Sequence, residues 1–514
     1  MTRTRPNTHR RLRFLTDPHA ALVVAALFLC FYASLDVLQD PDLWWHLQLG
    51  NWTLTHLRVA SHELFSYPGL GYPLVDHEWL PEVLFAVANH IGGLLLVAIV
   101  AAAITMGGFV ALYFLLRARG TSVLATGIAL AIAAMASQVV LGSRPQVTTF
   151  TFACIMLLLL EQNLMRTRKS RWLLPIVMLI WANSHAGFLA GFGIMGITVV
   201  AELVSAVVSD TAEVPLRLRR LQSLLLPMLL TLPAAWCNPR GPYLMLYALK
   251  ATFGEAIKPI VEWNSPNFHF PALLPLLFFL GTTVFLSLLS RHRNIKDALF
   301  AWVGITLVLL AVRNTTLAVA FILPAWAIML DDAAAPLLAR LRIRPSPTGT
   351  PAAILTSALV LILGVGVASV GVLRAAADAS PAGVGRAYPS CITSVLSHDP
   401  QKLRIFAPYG IGGFIIWKLW PHGLVYEYGE SISLGDTLFN NYLLISQGSL
   451  QPSAIGLLQQ SQTNVVITPP TSLLAHELTR AGGWTAVANE QGITAYVHGT
   501  IPHLASFNAA CPAS

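Results

Sequence analysis

The sequence predicts an all-α polytopic membrane domain of about eleven transmembrane helices, followed by a small periplasmic α/β domain. Three observations lead there. The 514-residue chain is 55% hydrophobic and only 11% charged, with mean hydropathy +0.64. A soluble chain this apolar would aggregate. Apolar runs of about 18 residues or more recur up to residue 372, as bilayer crossing requires. From residue 373 onward the pattern changes to short β-rich runs alternating with helical ones.

The spans fall near residues 20–39, 93–116, 122–140, 146–164, 171–184, 187–208, 221–236, 271–290, 297–312, 315–330 and 352–372. The fifth is short for a crossing and fits one with little tilt or one that ends in a cavity. Cationic residues set the orientation. Twenty lie at the N-terminus and in alternate loops, among them Arg117, Arg119, Arg217, Lys296, Arg342 and Arg344. The opposite loops hold six: Arg58, Arg144, Arg240, Lys250, Lys258 and Arg313. This bias places the basic N-terminus, 1–19, in the cytoplasm. It also explains the sequence pI of about 9.4 without nucleic acid, because the basic residues are parcelled into short loops. The start MTRTRPNTHRRLRF leads into a span with no A-x-A-like cleavage site, so no cleavable signal peptide is expected. An odd number of spans, 20–372, then puts 373–514 in the periplasm of a bacterial inner (cytoplasmic) membrane.

Within 373–514, LRIFAPYGIGGFIIWKLW, GLVYEYG, TNVVITPP and GITAYVHG read as strand-forming runs. SAIGLLQQSQ and SLLAHELTRAGG read as helices between some of them. RAAADASPAGVG before them reads as a linker, and YGIGGF (409–414) as a tight turn into a strand. Cys30 and Cys154 lie in spans as small packing residues. Cys391 and Cys511 flank the outer domain and are expected to form a disulfide in an oxidising compartment.

The first outer loop, 40–92, is long. DPDLWWHLQLGNWTLTHL reads as a helix with Asp40 as N-cap and Pro41 at the first helical position. Trp45, Leu49 and Trp52 share one face, which would lie in the headgroup layer with the tryptophans as anchors. Asp42 and His46, four apart, share another face. PLVDHEWLPEVLFAVANHIGG reads as a second amphipathic helix ending at Gly92-Gly93.

Polar residues gather at the outer ends of the spans: Asp40, Asp42, His46, Asp76, His77, Glu78, Arg144, Gln146, Asn183, His185, Asn238, Arg240, Glu262 and Arg313. Such groups are costly at a span edge unless they face a cavity or each other, so an outward-opening polar cavity is expected. Structural roles compete at several positions. Arg144 would cap a span end before Pro145, and Asn183 and His185 would bond neighbouring helices. Asn238 and Arg240 belong to an Asn-Pro turn, and Glu262 and Arg313 would pair with each other. DHE (76–78) with His46 offers donors that suit a divalent metal, although HEWLPE has Pro81 where a zinc-helix motif needs its second histidine. The sequence contains no G-x-S-x-G, Walker A or G-x-G-x-x-G motif, and a divalent metal is the one cofactor it leaves open.

An acidic pair just after the first span, a long first outer loop with two helices, about eleven spans and an outer soluble domain together resemble the GT-C superfamily of integral membrane glycosyltransferases. DPDLWWHLQLGNW, DHEWL, SRPQ, WANSHAGFLAG, NPRG, EWNSPNF, VRN and YGIGGFIIWKL, in this order, are similar to a widespread set of bacterial GT-C-like membrane proteins. The resemblance implies a GT-C-like transmembrane domain. It also implies transfer of a sugar from a polyprenyl-phosphate-type lipid to a lipid, glycan or protein acceptor in the envelope, on the periplasmic face. The superfamily's first-loop acid falls on Asp40 or Asp42, with Glu78 a third choice of base. Sugar transfer further needs cations for the departing phosphate, for which Arg144, Arg240 and Arg313 are the candidates. Asn183, His185 and Glu262 would hold sugar hydroxyls, and His46, His77, Gln146 and Asn238 complete the expected binding surface. Two alternatives stand beside this one: a polysaccharide polymerase or ligase acting on a lipid-linked glycan, and a non-catalytic membrane assembly or export component.

Overall fold

In hydrocarbon the backbone can bond only to itself, so the apolar runs fold as helices. The computed structural model describes the chain except residues 1–12, 37, 39, 167, 209–213, 254–259, 341–347, 399–400, 452, 500–510 and 512–514. Most of the expected basic N-terminus lies outside the described residues, as do Lys258, Arg342 and Arg344. Among the described residues seven helical stretches are long and apolar enough to cross a membrane: Trp79–Ala118, Val123–Val140, Val147–Met165, Ala186–Val208, Pro271–Leu289, Val312–Pro336 and Pro351–Ala379. Pro18–Ser34 is a shorter apolar helix. The chain is a membrane protein. Three expected spans take shorter forms. Leu173–Ala182 has 10 residues and Ile295–Leu310 has 16, while 221–236 falls on two helices, Val214–Leu229 and Thr231–Trp236.

Two first-loop helices carry the site. The first, α1, is Leu43–His56. The second, α2, is Trp79–Ala118, kinked at Gly92 and Gly93, where the break was expected. Gly93 has φ of +64°, a conformation that costs glycine little. Helix α1 begins later than the sequence suggests. Asp42 takes the cap position without a side-chain cap bond, and Asp40 Oδ1 accepts from the Asp42 N–H at 2.9 Å. Asp42 Oδ1 instead accepts from Trp45 Nε1 at 3.1 Å.

The tail forms a five-stranded sheet in the order β2-β1-β3-β5-β4, with β1 Leu403–Phe406, β2 Gly423–Val425, β3 Val465–Thr468, β4 Trp484–Glu490 and β5 Ile493–His498. β1 runs parallel to β2 and β3, and β5 pairs antiparallel with β3 and β4. The first loop covers the free edge of β2. Val425 N–H donates to Phe65 O at 2.9 Å, and Tyr67 N–H donates to Val425 O at 3.0 Å. An uncovered edge would be a pairing hazard.

Several expectations change here. Trp45, Leu49 and Trp52 are 6%, 2% and 8% exposed, and they share a core with Ile405, Ile415, Val425 and Tyr428 of the tail. They are intramolecular packing residues and not headgroup anchors. The segment 409–414 opens a helix, α3 Tyr409–Leu419, and not a strand. Its glycines let the helix lie against α1, since a Cβ on Gly413 would stand 2.8 Å from Pro41 O. The expected linker at 374–385 is helical, continuing to Ala379 and restarting as Pro381–Ala387. Ser380 Oγ caps that restart by accepting from Gly383 N–H at 3.0 Å. The helices Tyr243–Phe253 and Asp436–Ser446 and the strand β4 were not anticipated. Cys391 and Cys511 form the expected disulfide across 120 residues, and Cys30 and Cys154 are buried.

Candidate functional site

Two polar clusters meet where the apolar helices end beneath the first loop and the tail. The first is ionic. Arg144, in the turn before Val147–Met165, sets Nη1 2.8 Å from Asp40 Oδ2 and Nη2 2.8 Å from Glu262 Oε2. The other Glu262 oxygen lies 3.1 Å from Arg313 Nη1. The Arg313 guanidinium lies over the Trp263 ring, 4.0 Å from its centroid, a cation–π arrangement. Gln146 Nε2 donates to Arg313 O at 3.2 Å, and Arg313 Nη2 faces Gln146 Oε1 at 3.4 Å. Four chain segments thus supply one alternating acid–base chain.

Electrostatics follow from that geometry. Burial works to raise the Glu262 carboxyl, but Arg144 and Arg313 outweigh it and hold it at about 2. Burial lowers the Arg144 guanidinium, and Asp40 and Glu262 reverse that to a net rise. Asp42 has no direct ion pair among these contacts. Burial first, and the neighbouring Asp40 charge second, push its carboxyl well above the usual range, with Arg144 pulling the other way.

The second cluster surrounds a small pocket of about 10 Å³ lined by Trp45, Leu74, Asp76, Glu78, Glu82 and Glu430 among others. His46, one turn beyond Asp42 on α1, places Nδ1 2.7 Å from Glu82 Oε1 and Nε2 3.4 Å from Glu78 Oε2. His185 Nδ1 accepts from Gly187 N–H at 2.9 Å, so its proton is assigned to Nε2, which faces Glu78 Oε1 at 3.2 Å. His77 Nδ1 is 3.0 Å from Val75 O, and its Nε2 is 3.6 Å from Glu78 Oε1. Tyr247 O–H donates to Glu430 Oε1 at 2.7 Å. Burial and then Glu430 raise the Glu78 carboxyl to about 8, and burial raises Asp76 to about 7. Burial, then His77, lowers His46 and His185, which keeps both rings neutral near pH 7.

The structure therefore brings together Asp40, Asp42, His46, His77, Glu78, Arg144, Gln146, His185, Glu262 and Arg313. It sets three others apart. Asn183 accepts from Trp79 Nε1 at 3.0 Å and donates to Leu179 O and Cys237 O, which staples helix ends together. Asn238 closes its own turn, donating to Ala235 O and Gly241 O and accepting from Arg240 N–H. Arg240 donates to Ser61 O at 2.9 Å and also to Leu74 O, holding the first loop from beneath. Their side chains are spent on the scaffold. Glu82, Glu430, Trp263 and Tyr247 join the site unannounced. Glu82 was legible as the i+4 neighbour of Glu78; Glu430 was not, because nothing local links the tail to the first loop.

Comparison with solved structures places the fold. The Archaeoglobus fulgidus oligosaccharyltransferase, in its apo form, matches with a TM-score of 0.56 at 12% identity, over 94% of this chain and 74% of that one. ArnT from Cupriavidus metallidurans, also apo, matches with 0.56 at 14%, over 92% and 97%. The arabinofuranosyltransferase AftD from Mycobacteria matches with 0.50 at 14%, over 95% of this chain and 42% of that one. No family model and no curated protein sequence matches this chain. At 12–14% identity the likeness to these structures is one of fold.

Proposed function

We propose that this protein is a membrane glycosyltransferase that moves a sugar from a polyprenyl-phosphate-type lipid to an envelope acceptor on the periplasmic face. The observation that carries the reading is the convergence of Asp40, Arg144, Glu262 and Arg313 beside Asp42, under a roof made jointly by loop and tail. In this reading the chain crosses the inner membrane eleven times, with the N-terminus in the cytoplasm and 373–514 in the periplasm. The shared core of first loop and tail supports an even number of crossings between them. Structures of the same fold carry undecaprenyl phosphate in ArnT, at a TM-score of 0.52, and dolichol-phosphate in the archaeal oligosaccharyltransferase, at 0.54.

The acceptor hydroxyl oxygen attacks the anomeric carbon, and the bond from that carbon to the phosphate oxygen breaks. Asp42 takes the hydroxyl proton as the general base. Arg144 and Arg313 receive the departing phosphate. Asp40, paired to Arg144, orients that guanidinium. Glu262 is the most exposed member of the chain of charges, its side chain 31% accessible, so an incoming phosphate displaces it most easily. His185 and His77 sit further in, where sugar hydroxyls would reach.

A deletion strain is expected to accumulate its lipid-linked donor, and the wild-type gene to clear it. Asp42→Asn and Arg144→Gln are each expected to lower clearance by at least about 100-fold. Full clearance by an Asp40→Asn/Asp42→Asn double variant, present in the membrane at wild-type level, overturns the assignment.

A further inference from the structure

We infer that Trp45 is a positioning residue for Asp42, and that the tail, through Tyr428 and Gly429, fixes Trp45 in the orientation this needs. The assignment rests on Asp42 being the general base proposed above, and it names what aims that base.

The two first-loop aspartates are held differently. Asp40 Oδ2 pairs with Arg144 at 2.8 Å, and its Oδ1 accepts from the Asp42 N–H at 2.9 Å. Both Asp40 oxygens are therefore engaged. Asp42 Oδ1 accepts from Trp45 Nε1 at 3.1 Å, and among the described residues its Oδ2 takes no hydrogen bond or ion pair. A carboxylate gripped at one oxygen presents the other in a fixed direction, as proton transfer to a base requires. An indole has one N–H and no acceptor, so the orientation of the ring decides where the carboxylate points.

Tail residues set that ring. The edge of Tyr428 meets it with centroids 5.7 Å apart and planes at 72°. Tyr428 O–H donates to Glu63 Oε2 at 2.7 Å. Glu63 Oε1 accepts from the Phe65 and Ser66 N–H groups at 2.7 and 2.8 Å, so this buried acid ties the tyrosine to the first loop. Gly429, at φ +126°, lies against the Asp42–Trp45 hydrogen bond itself. A Cβ there would stand 2.4 Å from Asp42 Oδ1 and 2.8 Å from Trp45 Nε1. Tyr409 O–H donates to Gly429 O at 3.3 Å and holds the turn in place. Gly413 of α3 backs the ring as well, its Cβ position 3.2 Å from Trp45 Cδ1. Packing alone asks only for an apolar ring here; the buried N–H aimed at Asp42 is what a phenylalanine would lack.

A hydrogen bond to the charged form of a carboxyl favours that form. Burial and the Asp40 charge raise the Asp42 carboxyl, Arg144 lowers it, Glu262 raises it, and the Trp45 hydrogen bond lowers it. The other charged or titratable groups felt there are Arg313, Tyr388 and Tyr409. Trp45→Phe leaves all of these in place and removes the N–H, so Asp42 is expected to titrate higher by about one pH unit or more.

Infrared difference titration of the purified full-length protein reads this midpoint directly, with Asp42 identified by subtracting Asp42→Asn. The midpoint is expected to rise in Trp45→Phe, and also in Gly429→Ala, whose methyl crowds the carboxylate away from the indole. Trp420→Phe deletes an indole N–H bonded to Leu64 O elsewhere in the same body, and is expected to leave the midpoint in place. An unchanged midpoint in either folded variant, or an equal rise in Trp420→Phe, overturns the inference. In wild-type protein carrying 15N-indole tryptophan, one N–H resonance is expected to follow the Asp42 midpoint; if none does, the inference fails even where the variants do not fold. Donor clearance tests the underlying reading separately. Permeabilised membranes of the deletion strain supply the accumulated lipid-linked donor to the same proteins across about pH 4 to 9, and the acid limb is expected to move with the infrared midpoint. A midpoint that moves without the limb keeps Trp45 as the group that holds Asp42 and overturns Asp42 as the base.

Discussion

Arg144 shows how one side chain changes meaning between sequence and structure. In SRPQ it is a cation before a proline, as suited to capping a span as to binding phosphate. In the fold it bridges Asp40 and Glu262, 222 positions apart in the chain. A guanidinium presents a planar fork to two carboxylates at once, which lysine cannot do. Glu427 makes the opposite point. It was one acid in YEYGE, yet burial raises it to about 8, against hydrogen bonds from Ser431 and the Tyr428 N–H. The folded chain then binds a proton there that the unfolded chain releases above about pH 4.5, so stability falls as pH rises toward about 8. Asp76 and Glu78 shift the same way; Glu262 shifts the other way, and its contribution is lost only as pH falls toward about 2. Glu427→Gln, which mimics the neutral acid, is expected to flatten a plot of melting temperature against pH between about pH 5 and 8. A slope identical to wild type across that window counts against a neutral Glu427.

At the scale of elements, helical periodicity placed α1 and α2 and the break at Gly92-Gly93, because amphipathic spacing and paired glycines are local signals. Which way a face turns is not local. The Trp45, Leu49 and Trp52 stripe suits lipid and protein equally, and the tail won it. YGIGGFIIWKL reads as strand because its β-branched and aromatic residues favour strands, but contact with α1 made it a helix. Gly413→Ala tests that contact. The added methyl meets Pro41 O at 2.8 Å and Trp45 Cδ1 at 3.2 Å, and overpacking of this kind costs about 1–3 kcal/mol. A lower melting temperature and faster proteolysis of the 57–78 segment are expected; unchanged proteolysis would mean that α3 does not hold the loop. The cationic loops also hold more than topology. Arg119 is bidentate to Asp297 at 2.7 and 2.6 Å, Lys296 pairs with Glu161, and Arg217 is bidentate to Glu202. Charges that bias insertion are reused to fasten helix ends.

For the whole molecule, first loop and tail are one body, joined by a shared core and by the strand-edge pairing at Val425. The site exists only when that body is seated on the helix ends. The proposed periplasmic placement is open to a direct check. Cys237 is an exposed free thiol, whereas Cys30 and Cys154 are buried, so a membrane-impermeant maleimide is expected to label Cys237 in intact spheroplasts. Labelling only after permeabilisation would reverse the proposed sidedness. The sequence by itself determined that this chain is a helical membrane protein with an α/β tail and that polar residues mark the ends of its apolar runs. These follow from composition, period and charge, which act over a few residues at a time. Only tertiary structure decided which of those polar residues form the site. It assigned Asn183, Asn238 and Arg240 to the scaffold, and it brought Glu430 from the tail to Glu78 in the first loop. Burial and pairing depend on which groups meet in space, and residues hundreds of positions apart leave no local trace of their meeting.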